Sequence, residues 1–314
     1  MPRLIIAAAI AAALAAGSAH AAGVLKIVVP FAPGGPVDQI ARLVAPDLAA
    51  ELGETVVVEN RGGAGGTIGA NYVAKSQPDG QTLLVATLGY VMTAGTTPGL
   101  PYDPRKDLTP VYLFGQVQSL LVVRNSLGAS TPAELVALAK SGKPLSYASS
   151  GVGSTMHIGG ELFNLATGAH ATHVPYRGAA PALVDLMAGR VDMLNADVPV
   201  LQPYVKDGRV KAVVIYDTER SRYLPDVESA REAGLPELQM SNWYGVLAPA
   251  GTPADTRKRL EAALAKVVAA PALAQRLADA GLSGPLGAAA FQAKLNADLD
   301  RWVPFIHKAG IRTE

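Results

Sequence analysis

The chain contains no cysteine. That excludes disulfides, thiolate metal sites, a cysteine nucleophile and a lipid-modified N-terminal cysteine. The fold must rest on its core, which an apolar content of 49% can supply. Net charge is almost absent as well, with 27 Lys and Arg against 26 Asp and Glu. Such a balance lacks the basic face that nucleic acid or an anionic membrane attracts. No apolar run long enough to cross a bilayer follows residue 21. Nucleotide-binding fingerprints are missing too. No G-x-x-x-x-G-K-[ST] occurs, and counting G-x-G-x-x-G from Gly63 puts Ile68 where the last glycine belongs. There is no G-x-S-x-G or H-E-x-x-H, and no S-x-x-K around the serines discussed below. No internal repeat, heptad run or low-complexity tract appears.

What is present begins with an export pattern. Arg3 gives the positive start, Leu4 to Ala16 is unbroken apolar chain, and Ala19-His20-Ala21 supplies a small-x-small cleavage box. The apolar stretch is short for a membrane span. Residues 1–21 are therefore expected to be a signal peptide, cleaved near Ala21, with the mature protein exported.

Two glycine-rich turns follow. The first runs Phe31-Ala32-Pro33-Gly34-Gly35-Pro36-Val37-Asp38, and the second is Gly62-Gly63-Ala64-Gly65-Gly66. Each leads from a β-rich stretch into a helical pattern. Free backbone N–H groups at such a helix start favour an anion. Short β-rich stretches alternate with helical patterns from end to end. Strands are expected at Lys26–Val29, Thr55–Val58, Thr82–Ala86, Leu120–Arg124, Leu145–Ala148, Val191–Leu194, Val210–Ile215 and Tyr244–Ala248. Pro36 suits a first helical position, Thr131-Pro132-Ala133-Glu134 reads as a capping box, and Thr252-Pro253-Ala254-Asp255 is a weaker form of it. Gly142, Gly189 and Gly281 stand where helices should stop. The class is α/β with largely parallel sheets.

The ordered series of motifs resembles the Bug family, the extracytoplasmic solute receptors of tripartite tricarboxylate transporters. It comprises the first turn with Asp38 and Ala41-Arg42, then Val56-Val57-Val58-Glu59-Asn60-Arg61 with the second turn, Pro78-Asp79-Gly80 and Leu100-Pro101-Tyr102-Asp103-Pro104. Tyr147-Ala148-Ser149-Ser150-Gly151-Val152-Gly153-Ser154-Thr155-Met156-His157 and His173-Val174-Pro175-Tyr176-Arg177-Gly178 continue it. Leu224-Pro225-Asp226-Val227 and Glu232-Ala233-Gly234-Leu235-Pro236 come late. The resemblance implies a two-lobed periplasmic binding fold of the Venus-flytrap kind, type II-like. Residues 22–123 and 243–314 would form lobe 1, and 124–242 lobe 2. It implies a small carboxylate held between the lobes, delivery to membrane permease subunits, a monomer, and no cofactor or metal. A receptor feeding a sensor kinase shares the same fold, and a secreted serine hydrolase using Ser154 and His157 is the enzymatic alternative.

Candidate ligand residues follow from the loops. Phe31, Ala32, Pro33, Gly34, Gly35 and Asp38 would offer backbone N–H groups from lobe 1, or form only a tight turn. Ser149, Ser150, Gly153, Ser154, Thr155 and His157 would face them from lobe 2, or serve in part as a helix cap. Leu88, Gly89 and Tyr90 after Thr87 are expected to line a lobe 1 wall, made apolar by Leu88 and Tyr90. Tyr176 and Arg177 lie on a second-lobe loop, from which Arg177 would reach a distal carboxylate or be a solvated cation. Asp197, in Asn195-Ala196-Asp197, would bind a hydroxyl or amine, orient water, or cap the next turn. Relatives often carry an aromatic, Asp and Asn there instead. The Gly62–Gly66 turn reads mostly as a close backbone approach. His170 and His173 read as surface or packing residues rather than metal ligands, and Trp243-Tyr244 as hinge packing.

Overall fold

The computed structural model describes residues 23–176 and 178–312. The signal segment and Arg177 lie outside the described residues. The strands fall where β-branched residues cluster. β1 (Val24–Val29), β2 (Thr55–Asn60) and β3 (Thr82–Thr87) pair in parallel, in the order β2-β1-β3. Between β1 and β2 runs α1 (Pro36–Leu52), with Pro36 at its first position and Val37, Ile40, Ala41, Val44 and Leu48 buried at helical spacing. After a 3₁₀ turn at Ala64–Gly66 comes α2 (Thr67–Ala74), and after β3 comes α3 (Leu88–Thr96).

Two strands join the lobes. β4 (Leu108–Val123) continues for 16 residues. Its first part pairs antiparallel with a late strand, Ser241–Pro249, which also pairs antiparallel with β3. Its second part pairs antiparallel with strands at Met193–Asp197 and Lys211–Ile215. Partners change at Gln118–Ser119. In chain order the second lobe has α4 (Pro132–Lys140), β5 (Ser146–Ser149), α5 (Thr155–Thr167), β6 (Thr172–Pro175), α6 (Ala179–Met187), β7 (Met193–Asp197), α7 (Val198–Lys206) and β8 (Lys211–Ile215). β9 (Ser241–Pro249) then returns, followed by α8 (Ala254–Ala269), α9 (Pro271–Asp279), β10 (Leu286–Gly287) and α10 (Ala288–Lys308). β5 is parallel to β6 and β7. The architecture is thus a two-lobed α/β periplasmic binding fold of type II, with antiparallel pairs introduced by the crossing strands.

Direction follows from pairing. β4 and β3 are both antiparallel to β9, so β4 leaves lobe 1 in the direction in which β1, β2 and β3 point. β7 is antiparallel to β4, so β5, β6 and β7 point back toward lobe 1. The carboxyl ends of both parallel sets therefore face each other, where open α/β sheets bind ligands. The core is continuous along one side of the crossing, with Trp243, Phe291, Trp302, Tyr147, Phe163 and Tyr216 fully buried. The tail helix α10 packs on α3, and Gly95 lets them approach: a β-carbon there would meet Ile306 at 2.8 Å.

Candidate functional site

The first turn is held by a charged brace. Asp38 is 3% exposed. Its Oδ2 accepts from Gly34 N and Arg42 Nε, both at 2.9 Å, and its Oδ1 accepts from Asn60 Nδ2 at 2.9 Å. Asn60 also donates to the Phe31 carbonyl at 3.2 Å, and Arg42 to Asn60 at 3.1 Å. The Arg42 guanidinium, with the Gly34 and Asn60 donors, lowers the Asp38 pKa to about 2 against the opposing effect of burial. Asp38 therefore shapes the loop, its carboxylate engaged by three donors. Ala32, Pro33 and Gly34 remain exposed. Among the described residues, no protein acceptor takes the N–H of Gly35 or Val37 at the start of α1.

The second turn supports the first. A β-carbon on Gly62 would lie 3.2 Å from the Phe31 carbonyl carbon, and one on Gly69 would lie 2.8 Å from Pro30. These glycines permit the close backbone approach that the sequence suggests.

The second-lobe loop is braced without charge. Gly153 N donates to His157 Nδ1 at 3.1 Å, so that nitrogen carries no proton. The His157 ring stacks on His173 with centroids 3.7 Å apart and planes 7° apart, and Tyr147 stacks on both. Burial, then His173, lowers the His157 pKa to about 4, and burial lowers that of His173. Both imidazoles are neutral near pH 7. Ser149 Oγ lies 2.6 Å from His173 Nε2 and accepts from Gly151 N at 3.1 Å. Ser154 caps α5 by accepting from His157 N at 3.2 Å. The N–H groups of Thr155 and Met156 open α5 with no protein acceptor among the described residues. Gly153 touches the first lobe, since a β-carbon on it would lie 2.9 Å from Thr96 Oγ1 on α3.

Several of the candidate residues are buried. Leu88 and Tyr90 are 1% and 6% exposed and belong to the core, because the first turn of α3 rotates them inward. Tyr90 stacks on Tyr102, donates to the Pro104 carbonyl at 2.9 Å and borders a cavity of about 10 Å³ beneath the first turn. Gly89 alone of the three is partly open. Ser149 is fully buried, and His157 is 7% exposed; both act in the brace. Tyr176 donates its hydroxyl to Asp185 on α6 at 2.9 Å. Asp197 is half-buried, and its side chain does not cap α7. Its Oδ2 accepts from Asn242 Nδ2 and the Tyr244 hydroxyl, both at 3.0 Å. Burial pushes its pKa up to about 6 against those two donors.

Sequence reading missed Arg42, Asn60 and Asn242 as supports. Arg42 and Asn60 stood inside quoted motifs, one helical turn after Asp38 and at the end of β2. Asn242 had no local signal. Among the described residues, no group of three His, Asp or Glu side chains could hold a metal ion.

The model of the tripartite tricarboxylate transporter family receptor, TctC, matches residues 40–311. Protein BugT of Bordetella pertussis is 34% identical over 294 residues, covering 92% of this chain and 90% of BugT. MatC from Rhodopseudomonas palustris, solved with bound malate, is 34% identical with a TM-score of 0.80, covering 91% of this chain and 99% of MatC. A second R. palustris protein, solved with adipate, is 33% identical with a TM-score of 0.83, covering 94% of this chain and 100% of its own.

Proposed function

The chain belongs to the Bug family of tripartite tricarboxylate transporter receptors, and from that premise we propose that it captures a mono- or dicarboxylate, in preference to citrate, between its lobes. Family and fold are those of binding proteins, not enzymes, and indicate the periplasm. Receptors of this family pair with membrane permease subunits, to which this chain would deliver its solute.

The observation that carries the reading is the pair of opposed helix starts. α1 and α5 begin at the facing carboxyl ends of β1 and β5, each with unclaimed backbone N–H groups. Two such ends favour a carboxylate without a cation. Malate and adipate in the two related structures are both dicarboxylates. Selectivity against citrate follows from the number of such ends: two carboxylates can be met by the two helix starts, and a third would be costly to desolvate.

A thermal-shift screen followed by calorimetry tests this, using mono-, di- and tricarboxylates, amino acids, nicotinate and aromatic acids. The preferred solute should stabilise the protein by about 3 kcal/mol at a hundredfold excess over its Kd. Citrate binding more tightly than every smaller carboxylate would refute the selectivity. A preference for uncharged solutes would refute the carboxylate anchor.

A further inference from the structure

The two carboxylate oxygens of Asp197 have different surroundings. Oδ2 is fixed by Asn242 and Tyr244 of β9. Asn242 is itself held, its Oδ1 accepting from Leu88 N at 3.3 Å and Trp243 N at 2.9 Å. Oδ2 is thereby tied to the crossing strand and, through Asn242, to the start of α3. Among the described residues no donor meets Oδ1, and it is not sealed from solvent. Asp197 ends β7, whose carboxyl end faces the first lobe.

We propose that Asp197 makes solute capture proton-linked: as an anionic solute enters, Oδ1 takes one proton from solvent and donates a hydrogen bond to a solute carboxylate. The proposal rests on the carboxylate reading above. Its chemistry is that of two carboxyl groups sharing a proton because both cannot cheaply remain ionised side by side. Oδ2 can keep both donors in the neutral acid, where it becomes the carbonyl oxygen. Protonation therefore leaves the junction intact and changes only the oxygen that faces solvent.

The surroundings favour this transfer. From β9, Tyr244 faces Asp197, and its own pKa is raised well above the usual value, so it stays a donor. β4 contributes Ser119 opposite Asp197, and α3 reaches the network only through the Leu88 amide. Among the described residues no Lys, Arg or His stabilises the ionised form. Burial already moves the group toward neutrality, and a solute carboxylate would move it further.

Calorimetry with adipate and malate between about pH 6 and 8, in two buffers of different ionisation enthalpy, reads proton uptake directly. The wild-type protein should take up as much as about one proton per solute, with affinity rising up to about tenfold for each pH unit of acidification. In Asp197→Asn the amide is a permanent donor, so uptake should vanish and affinity should become independent of pH. Binding without proton uptake by the wild type would overturn the proposal and leave the carboxylate reading standing. Uptake undiminished in Asp197→Asn would assign the proton to the solute and also overturn it. If neither protein bound any carboxylate at any pH, the reading and the proposal would fall together.

Discussion

The two loops at the facing carboxyl ends of β1 and β5 are held with opposite chemistry. In lobe 1 an ionised carboxylate gathers Gly34, Arg42 and Asn60 around the turn. In lobe 2 a neutral imidazole takes the Gly153 amide and is held flat by a second imidazole and a tyrosine. The first brace uses charge at the edge of solvent, with Arg42 half exposed. The second uses aromatic stacking inside the lobe, where an ion would be expensive. The same requirement, a helix start with free amides, thus does not dictate a single support. The local dielectric selects the one that is affordable.

Removing the charged brace should have the largest effect. Asp38→Ala leaves Gly34 N, Asn60 and Arg42 without their acceptor, a loss of about 2–3 kcal/mol in unfolding stability by urea denaturation. A change under about 0.5 kcal/mol would mean that the turn is held by its prolines instead.

Gly153→Ala should come next. The residue has φ +77°, and its new β-carbon would press on Thr96 across the lobes. The backbone strain alone is about 1–2 kcal/mol. Solute affinity, measured by calorimetry, should fall by about tenfold while the fold survives. Unchanged affinity would show that the approach of Gly153 to α3 plays no part in closure.

His157→Phe should be smallest, about 1 kcal/mol, since the stack persists and only the acceptor for Gly153 is lost. Its pH signature sharpens the contrast. A folded-state pKa of about 4 lies below the unfolded value of 6.5. The folded state then binds fewer protons in that window, so the contribution of His157 is complete above 6.5 and is lost as pH falls toward 4. The Asp38 contribution is complete above 3.8 and is lost only as pH falls toward about 2. Asp197 acts in the other direction: its raised pKa makes stability fall as pH rises from 3.8 through about 6. Subtracting the His157→Phe melting curve from the wild type isolates the first of these. A difference that does not grow between pH 4 and 6.5 would contradict the neutral-imidazole brace.

Much of the fold was legible because it is written locally. Pro36 opens α1, Thr131 and Glu134 form the reciprocal capping box, and Gly142, Gly189 and Gly281 all take positive φ after helices. Thr252 looked similar, yet its hydroxyl donates to Pro249 and does not cap α8. The first half of β4 escaped notice because Pro110 and Gly115 interrupt its β pattern, and both are tolerated beside shifts of register. The helix-entry loops were legible, but the direction of their side chains was not. Leu88 and Tyr90 follow a strand end, and nothing local says which way the next helical turn rotates them. Asn242 reaches Leu88 from 154 residues away, and such a partner leaves no periodic trace.

The crossing strands also set an order of events. β9 lies between β3 and β4 in the sheet, yet it is made after the entire second lobe. A chain emerging from its N-terminus can complete β5 to β8 while the first lobe still lacks its central strand. The second lobe is thus positioned to fold first, and the first must wait, with β3 and half of β4 unpaired, for residues 241–249. Such distant pairing slows folding and lengthens the time for which sheet edges stay open.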